Sequence, residues 1–303
     1  MTDNYENIIS ILDSENIAYT ENEPLSKHCS FRIGGSAALF VTPKTAEELK
    51  NVLELVNENE CRKFILGKGT NLVFSDKGFD GVVISTLGLN EKYAAGDVLE
   101  AGAGVSYTEL AVVAQNHGLA GLEFAYGIPG SVGGAVYMNA GAYEHQTSEV
   151  LVSSTMLDCA TGIIREIPLE EHNFGYRESI YKENPGYTVL SARFRLVEGD
   201  KEQIRAKMDE LMARRRDKQP LEYPSAGSAF KRYPGYYTGA LIEQAGLKGY
   251  TVGGAQVSEK HAGFIINVGG ATAEDVKKLS DHIKSEIFRI NGIMIENEII
   301  FVE

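Results

Sequence analysis

The chain has 303 residues, 43% of them hydrophobic and 23% charged, and a formal net charge of -13. The composition is that of a globular protein, and the length allows two domains or one large one with an elaboration. A chain this acidic, with no basic arm, is a poor binder of nucleic acid or anionic membrane through bulk charge, so an anionic ligand must be held by local donors.

The opening MTDNYENIISILDSEN is acidic where a signal peptide would be basic, and no apolar run is long enough to span a bilayer. Cys29, Cys61 and Cys159 lie far apart, and the six histidines show no ligand spacing. That argues against a disulfide scaffold, structural zinc or a thiol redox centre. A reduced, cytoplasmic, metal-free protein is expected.

Ile8, Ile9 and Leu12 predict a short helix, then an extended approach to Pro24. Ser30-Phe31-Arg32-Ile33-Gly34-Gly35 leads into a strand over 37–41; Arg32 is either a solvated charge or, beside two glycines, a phosphate or carboxylate contact. Thr45-x-x-Glu48 has the capping-box pattern, and Leu49, Val52, Leu53 and Val56 recur at helical spacing. A strand over 63–66 runs into Gly67-Lys68-Gly69-Thr70-Asn71-Leu72. Strand then Gly-x-Gly suggests a dinucleotide fingerprint, but the third glycine is missing and 71–74 reads as another strand. No P-loop pattern occurs either. What remains is a glycine turn suited to a phosphate, or a plain hairpin-like turn.

Strands over 81–85 and 98–101 precede a second glycine turn, Gly102-Ala103-Gly104. Ser106-x-x-Glu109 then predicts a capped helix with Leu110, Val113 and Ala114 inward and Gly118 at its end. The third glycine element runs from Phe124 to Tyr143 with Gly127, Gly130, Gly133, Gly134 and Gly141 and no charged side chain. Glycine loses the most backbone entropy on folding, so such a run needs a reason. Either the backbone passes close to a bulky ligand and donates N–H groups to it, or the run is a tight bend in a buried sheet. Together the three elements suggest an extended ligand with phosphates in its middle.

Past residue 150, strands are expected over 150–157, 163–167 and 187–196, interrupted by His172 to Ser179. A helix over 200–218 turns Ile204, Met208 and Leu211 inward and ends on Arg214-Arg215-Arg216, which suits the helix dipole or, alternatively, an anionic substrate. A small-residue loop, Ser225 to Ala229, precedes Lys231 and Arg232, followed by a helix over 239–246 and mixed loop and strand over 253–266. Thr272-x-x-Asp275 opens a long helix with Val276, Leu279, Ile283 and Ile287 on one face and Gly292 after it. A closing strand over 293–302 would put Glu296 and Glu298 on one face.

Several of these pieces, in this order, resemble the UDP-N-acetylenolpyruvoylglucosamine reductase family, flavoenzymes that make UDP-N-acetylmuramate for bacterial peptidoglycan. The matching stretches are Ser30 to Gly35, Gly67 to Leu72, Gly127 to Ala135, Met138 to Tyr143, Phe174 to Ser179, Ala226 to Lys231, Val257 to Asn267 and the terminal Glu-Asn-Glu. They cover the chain from about residue 27 onward, and the short C-terminal part is similar to the second structural subtype (type II). The resemblance implies an α+β fold: two FAD-binding subdomains of the vanillyl-alcohol-oxidase/PCMH type, 1–85 and 86–200, plus a C-terminal α+β substrate-binding domain, 201–303. It implies non-covalent FAD, NADPH as co-substrate, UDP-N-acetylglucosamine enolpyruvate as substrate, and a cytoplasmic monomer with no nucleic-acid or membrane partner. In the family reaction NADPH reduces FAD, and reduced flavin then gives hydride to the methylene carbon of the enolpyruvyl ether.

Carried onto this sequence, Arg32, Gly67, Lys68, Gly69, Thr70, Asn71, Leu72, Gly102, Gly104, Gly127, Pro129, Gly130, Ser131, Gly133, Gly134, Asn139, Gly141 and Ala142 would hold the cofactor. Arg177 would meet the charge arising at the substrate carboxylate, and Ser228 would give the proton to the neighbouring carbon. Glu298 would polarise or position that carboxylate, with Glu296 as its rival. Tyr176, Lys231 and Arg232 would contact substrate, although Arg232 stands where some members have asparagine. A flavin oxidase or dehydrogenase on the same cofactor fold is one alternative; such enzymes often anchor FAD through histidine or cysteine, and none lies within the glycine elements. A non-catalytic nucleotide-sugar binder is another, opposed by the presence of the Tyr-Arg, Gly-Ser and terminal glutamate elements.

Overall fold

The computed structural model describes residues 3–303, which divide into two compact units. The first holds the chain up to Glu21, Leu39–Lys68 and Gly81–Arg214; the second holds Asn22–Ala38, Gly69–Asp80 and Arg215–Glu303.

In the first unit, helix Asp3–Ser14 buries Ile8 and Leu12, and helix Ala46–Glu58 buries Leu49, Val52, Leu53 and Val56, the stripe its spacing predicts. Thr45 Oγ1 accepts the Glu48 N–H at 3.0 Å, but the Glu48 carboxylate takes the Lys44 N–H at 2.7 Å, so the box closes on one side only. Strand Lys63–Leu66 pairs in parallel with Phe79–Ser85, Lys63 opposite Val82. The turn that follows it is therefore no hairpin.

A five-stranded antiparallel sheet has the order Ile164–Pro168, Leu151–Asp158, Tyr187–Arg195, Val98–Gly102, Lys92–Ala95. The last strand has no period-2 or β-branched signal, and pairing alone makes it. The Phe124 to Tyr143 stretch is not all loop. It contains helix Val132–Tyr137, packed on Tyr187–Arg195 and begun by Ser131, whose Oγ accepts the Gly134 N–H at 3.3 Å. Helix Lys201–Lys218 buries Ile204, Met208 and Leu211 as expected, and Arg214 lies 4.9 Å over the Tyr143 ring.

The second unit has an antiparallel sheet in the order Ser225–Ser228, Phe264–Asn267, Ala255–Val257, Thr251–Val252. Helix Ala273–Asn291 buries Val276, Leu279, Ile283 and Ile287. Its Thr272/Asp275 box is complete, and Gly292 ends it at φ 68°. The expected strand over 293–302 shrinks to Ile300–Val302, parallel to Leu72–Phe74. Before it, only an isolated bridge, Phe230 to Asn297, forms, so strand alternation does not fix where Glu296 and Glu298 point. Among the described residues no helix is long and apolar enough to cross a membrane, and no cluster of three or more His, Cys, Asp or Glu suits a metal.

Candidate active site

The glycines of the first unit mostly face the chain itself. A Cβ on Gly67 would meet Ser131 Oγ at 2.7 Å, one on Gly102 the Leu89 oxygen at 2.3 Å, and one on Gly104 the Thr86 oxygen at 2.4 Å. Gly133 would strike the Ala103 Cβ at 2.8 Å and Gly141 the His145 oxygen at 2.4 Å. Close approach is the reason for these glycines, and the neighbour is the protein itself: backbone oxygens at Gly102, Gly104 and Gly141, side-chain atoms at Gly67 and Gly133.

That packing leaves a set of donors. Gly67 lies against Ser131, Ser131 bridges Ser106, and the Lys68 ammonium donates to Ser106 Oγ at 3.1 Å. Ser106 starts helix Tyr107–Asn116 without a side-chain cap, and its hydroxyl accepts from Lys68. Thr108 fixes the next turn: its Oγ1 accepts the Gly127 N–H at 3.2 Å and donates to the Ile128 carbonyl at 3.1 Å. Among the described residues nothing accepts the N–H of Gly130 or of Ser131, a residue only 1% exposed. Buried N–H groups are nearly always paired, so the orphan at Ser131, next to that of half-buried Gly130 and beside an ammonium, fits a diphosphate, the central group of FAD.

Asn139 occupies the left-handed region at φ 42° and is buried. Its Nδ2 donates to Gln146 Oε1 at 3.3 Å and to the Gly175 carbonyl at 3.0 Å, and its Oδ1 accepts the Ser148 N–H at 3.0 Å. Both amide hydrogens are thus used inside the protein, and Asn139 shapes the segment rather than reaching outward. Arg177 sits at φ 60°, unusual for a bulky residue. Its Nη1 donates to the Asn139 carbonyl at 3.5 Å and its Nη2 to the Gly141 carbonyl at 3.3 Å, with the carbon of the guanidinium 5.0 Å over the exposed Tyr176 ring. Ser179 Oγ donates to the Tyr137 carbonyl at 2.7 Å and Lys182 Nζ to the Arg177 carbonyl at 2.8 Å. The structure so joins Tyr176 and Arg177 to the Asn139, Gly141 and Ala142 segment. Ser179 ends the matched Phe174 to Ser179 stretch without having been given a role, and Gln146, Ser148 and Lys182 carried no signal in the sequence beyond their proximity to motifs.

In the second unit, Arg32 is exposed at φ 58° on a turn tied to the Gly69 loop: Ser30 N–H donates to the Gly69 carbonyl at 3.1 Å. Gly69 itself is at φ 61°, and a Cβ there would lie 2.1 Å from the His28 oxygen. Asn71 Nδ2 donates to the Glu298 carbonyl at 3.0 Å, and Leu72 pairs with Ile300. Ser228 follows a bulge: Ser225 faces Ile266 while Ser228 faces Phe264, the extra residue being absorbed beside Gly227 at φ 75°. Such bulges re-aim the next side chain. Glu298 N–H donates to the Ala229 carbonyl at 2.8 Å, so Thr70, Asn71, Ser228 and Glu298 share one neighbourhood. Glu296 instead pairs with Lys231 at 2.8 Å and is 72% exposed. Arg232 lies 5.4 Å over the Tyr237 ring.

Residues 219–302 match the family model described as the UDP-N-acetylenolpyruvoylglucosamine reductase C-terminal domain, and residues 37–167 match that described as an FAD binding domain. A UDP-N-acetylenolpyruvoylglucosamine reductase of Clostridium novyi is 47% identical over 290 residues, 96% of this chain and 93% of the relative. The chain belongs to the UDP-N-acetylenolpyruvoylglucosamine reductase family. A reductase of the same name from Clostridium beijerinckii is 44% identical across 97% of this chain and 96% of its own. The crystal structure of the Thermus caldophilus reductase superposes with a TM-score of 0.81 at 34% identity, covering 95% of this chain and 99% of that one. An Acremonium strictum glucooligosaccharide oxidase, 13% identical with a TM-score of 0.51 over 96% of this chain and 59% of that one, shares the fold alone. The expected architecture, an α+β FAD-binding fold with a separate C-terminal domain, stands.

Proposed function

We propose that the chain catalyses the FAD-dependent, NADPH-driven reduction of UDP-N-acetylglucosamine enolpyruvate to UDP-N-acetylmuramate, a step in peptidoglycan precursor synthesis. FAD, when bound, supplies the two-electron carrier between the nicotinamide and the enolpyruvyl methylene carbon. The N–H groups of Gly130 and Ser131 and the Lys68 ammonium hold its diphosphate. Residues 1–85 and 86–200 are assigned to cofactor binding and 201–303 to substrate.

The chemical obstacle is negative charge arising beside the substrate carboxylate, which needs preorganised positive charge and a proton. Arg177 supplies the charge through the fixed fork of its guanidinium, matched to a carboxylate becoming an enediolate. Ser228 gives the proton to the adjacent carbon and is resupplied from solvent. Glu298 positions the carboxylate; Glu296, already paired with Lys231 and exposed, is the weaker candidate. Tyr176, Lys231 and Arg232 contact substrate. We place the enzyme in the cytoplasm as a monomer without nucleic-acid or membrane partners.

The observation that carries this reading is Arg177 itself, held at φ 60° with its guanidinium on the carbonyls of Asn139 and Gly141. Backbone strain persists where surroundings over-determine it, most often at functional sites. The test is a visible spectrum of the purified protein, then anaerobic NADPH, then the enolpyruvyl nucleotide sugar. Flavin absorbance that bleaches and then returns is expected. A colourless protein that cannot take up FAD, or reduced flavin that the sugar nucleotide leaves unchanged, removes the assignment.

A further inference from the structure

The loop carrying Tyr176 and Arg177 leaves the main body at His172 and returns at helix Ile180–Glu183. Its base is closed by the Ile180 N–H, which donates to the His172 carbonyl at 2.7 Å, and its tip by reciprocal bonds between Gly175 and Glu178 at 3.3 Å. Behind the base lie three polar side chains with no solvent contact: His172 at 0%, Ser154 at 1% and Tyr181 at 0% exposure. Ser154 Oγ is 2.7 Å from His172 Nε2 and 2.5 Å from the Tyr181 hydroxyl, while His172 Nδ1 is 2.9 Å from the Pro168 carbonyl.

Elementary hydrogen-bond chemistry orients every proton in this chain. A carbonyl oxygen only accepts, so Nδ1 carries the ring hydrogen and Nε2 keeps a lone pair. Ser154 must then donate to Nε2, and its oxygen accepts from Tyr181. One arrangement satisfies all three groups with a neutral imidazole; reversing any bond leaves a buried group unpaired. Burial pulls the His172 pKa down and pushes Tyr181 up to about 12, which favours those same protonation states. The His172 ring also stacks on Phe174, centroids 4.8 Å apart and planes 18° from parallel. Gly175, Tyr176 and Arg177 follow directly.

Resting on the role given to Arg177 above, we infer that the Tyr181–Ser154–His172 chain is a positioning device for Arg177. It ties both ends of the loop to strand Leu151–Asp158, so that the guanidinium is delivered in one orientation although none of the three touches ligand. Tyr181→Phe keeps the buried ring and removes only the terminal donor. With the flavin-loaded enzyme in a stopped-flow instrument, this variant is expected to keep NADPH-driven flavin reduction. Its reoxidation by the enolpyruvyl substrate should slow by about tenfold to a hundredfold, the range that small misplacement of a catalytic group produces. The KM for substrate should move far less than kcat.

A structural defect alone would act regardless of Arg177, so the deciding readout is a double-mutant cycle. In an Arg177→Ala background Tyr181→Phe should add nothing to the loss. Equal additional slowing there, or unchanged reoxidation in Tyr181→Phe alone, overturns the inference. If Arg177→Ala itself reoxidises at the wild-type rate, it is the catalytic assignment of Arg177 that fails. Should Tyr181→Phe not fold, Ser154→Ala is read the same way, with Ser154→Thr expected to restore the rate.

Discussion

Asn139→Ala is the sharpest test of how the site is built. The substitution strands the Ser148 N–H, which loses the amide oxygen that satisfies it, while the Gly175 carbonyl keeps the Glu178 N–H. The unsatisfied donor costs about 1–3 kcal/mol. Alanine at φ 42° adds about 1 kcal/mol, because a Cβ crowds the following carbonyl and no side chain compensates locally. The sum is about 2–4 kcal/mol, a sizeable share of the roughly 5–15 kcal/mol that a domain has. At roughly 2 °C per kcal/mol for a chain of this size, the midpoint of thermal unfolding should fall by about 4–8 °C. Circular dichroism melts of the flavin-loaded and flavin-free protein measure it. A fall under about 2 °C in both would refute the assignment of Asn139 as an internal brace. A large loss of FAD affinity with an unchanged flavin-free melt would refute it differently, by making the amide a ligand contact.

Ser228→Ala should leave FAD binding and NADPH-driven flavin reduction nearly intact while reoxidation by substrate slows about 10²- to 10⁴-fold; stopped-flow traces with both halves equally impaired would remove Ser228 as proton donor. Glu296→Gln should change stability by under about 1 kcal/mol, since its pair with Lys231 is exposed. Glu298→Gln should slow reoxidation, and steady-state kinetics on both variants decide between the two carboxylates. Gly104→Ala, whose Cβ would sit 2.4 Å from the Thr86 oxygen, should destabilise by about 3 kcal/mol or more, seen in urea melts. Burial, opposed by the carbonyls of Pro168 and Leu169 and the carboxylates of Glu171 and Glu170, holds His172 below its ordinary 6.5. In the unfolded chain the ring takes up a proton first, so stability present above pH 6.5 should be lost as pH falls below it. His172→Asn should make that slope shallower in urea titrations at stepped pH.

Amphipathic helices were plain in the residues: Leu49 to Val56 and Val276 to Ile287 carry their own periodicity, and Thr272 with Asp275 marks a start that the backbone uses. The glycine elements were legible as places of close approach, but not what approaches them. That depends on Gly104 meeting Thr86 and Gly133 meeting Ala103, contacts made only by folding. The helix Val132–Tyr137 was hidden because two glycines lower its propensity and packing on Tyr187–Arg195 restores it. Likewise the strand read over 293–302 has the right apolar content, yet no partner runs beside its first half. Motif matching pointed to Arg177 and Ser228. Their backbone settings, a left-handed turn and a glycine bulge, have no one-dimensional signature in arginine or serine.

Asn71 reaches Glu298 across 227 positions, and Leu72–Phe74 has Ile300–Val302 as its neighbour. During synthesis the earlier strand therefore leaves the ribosome long before its mate exists. Until residues 300–302 have been made, its open edge is a template for any other extended peptide in reach. Over that interval the unpaired edge, a feature that equilibrium stability does not report, is the nascent chain's exposure to aggregation.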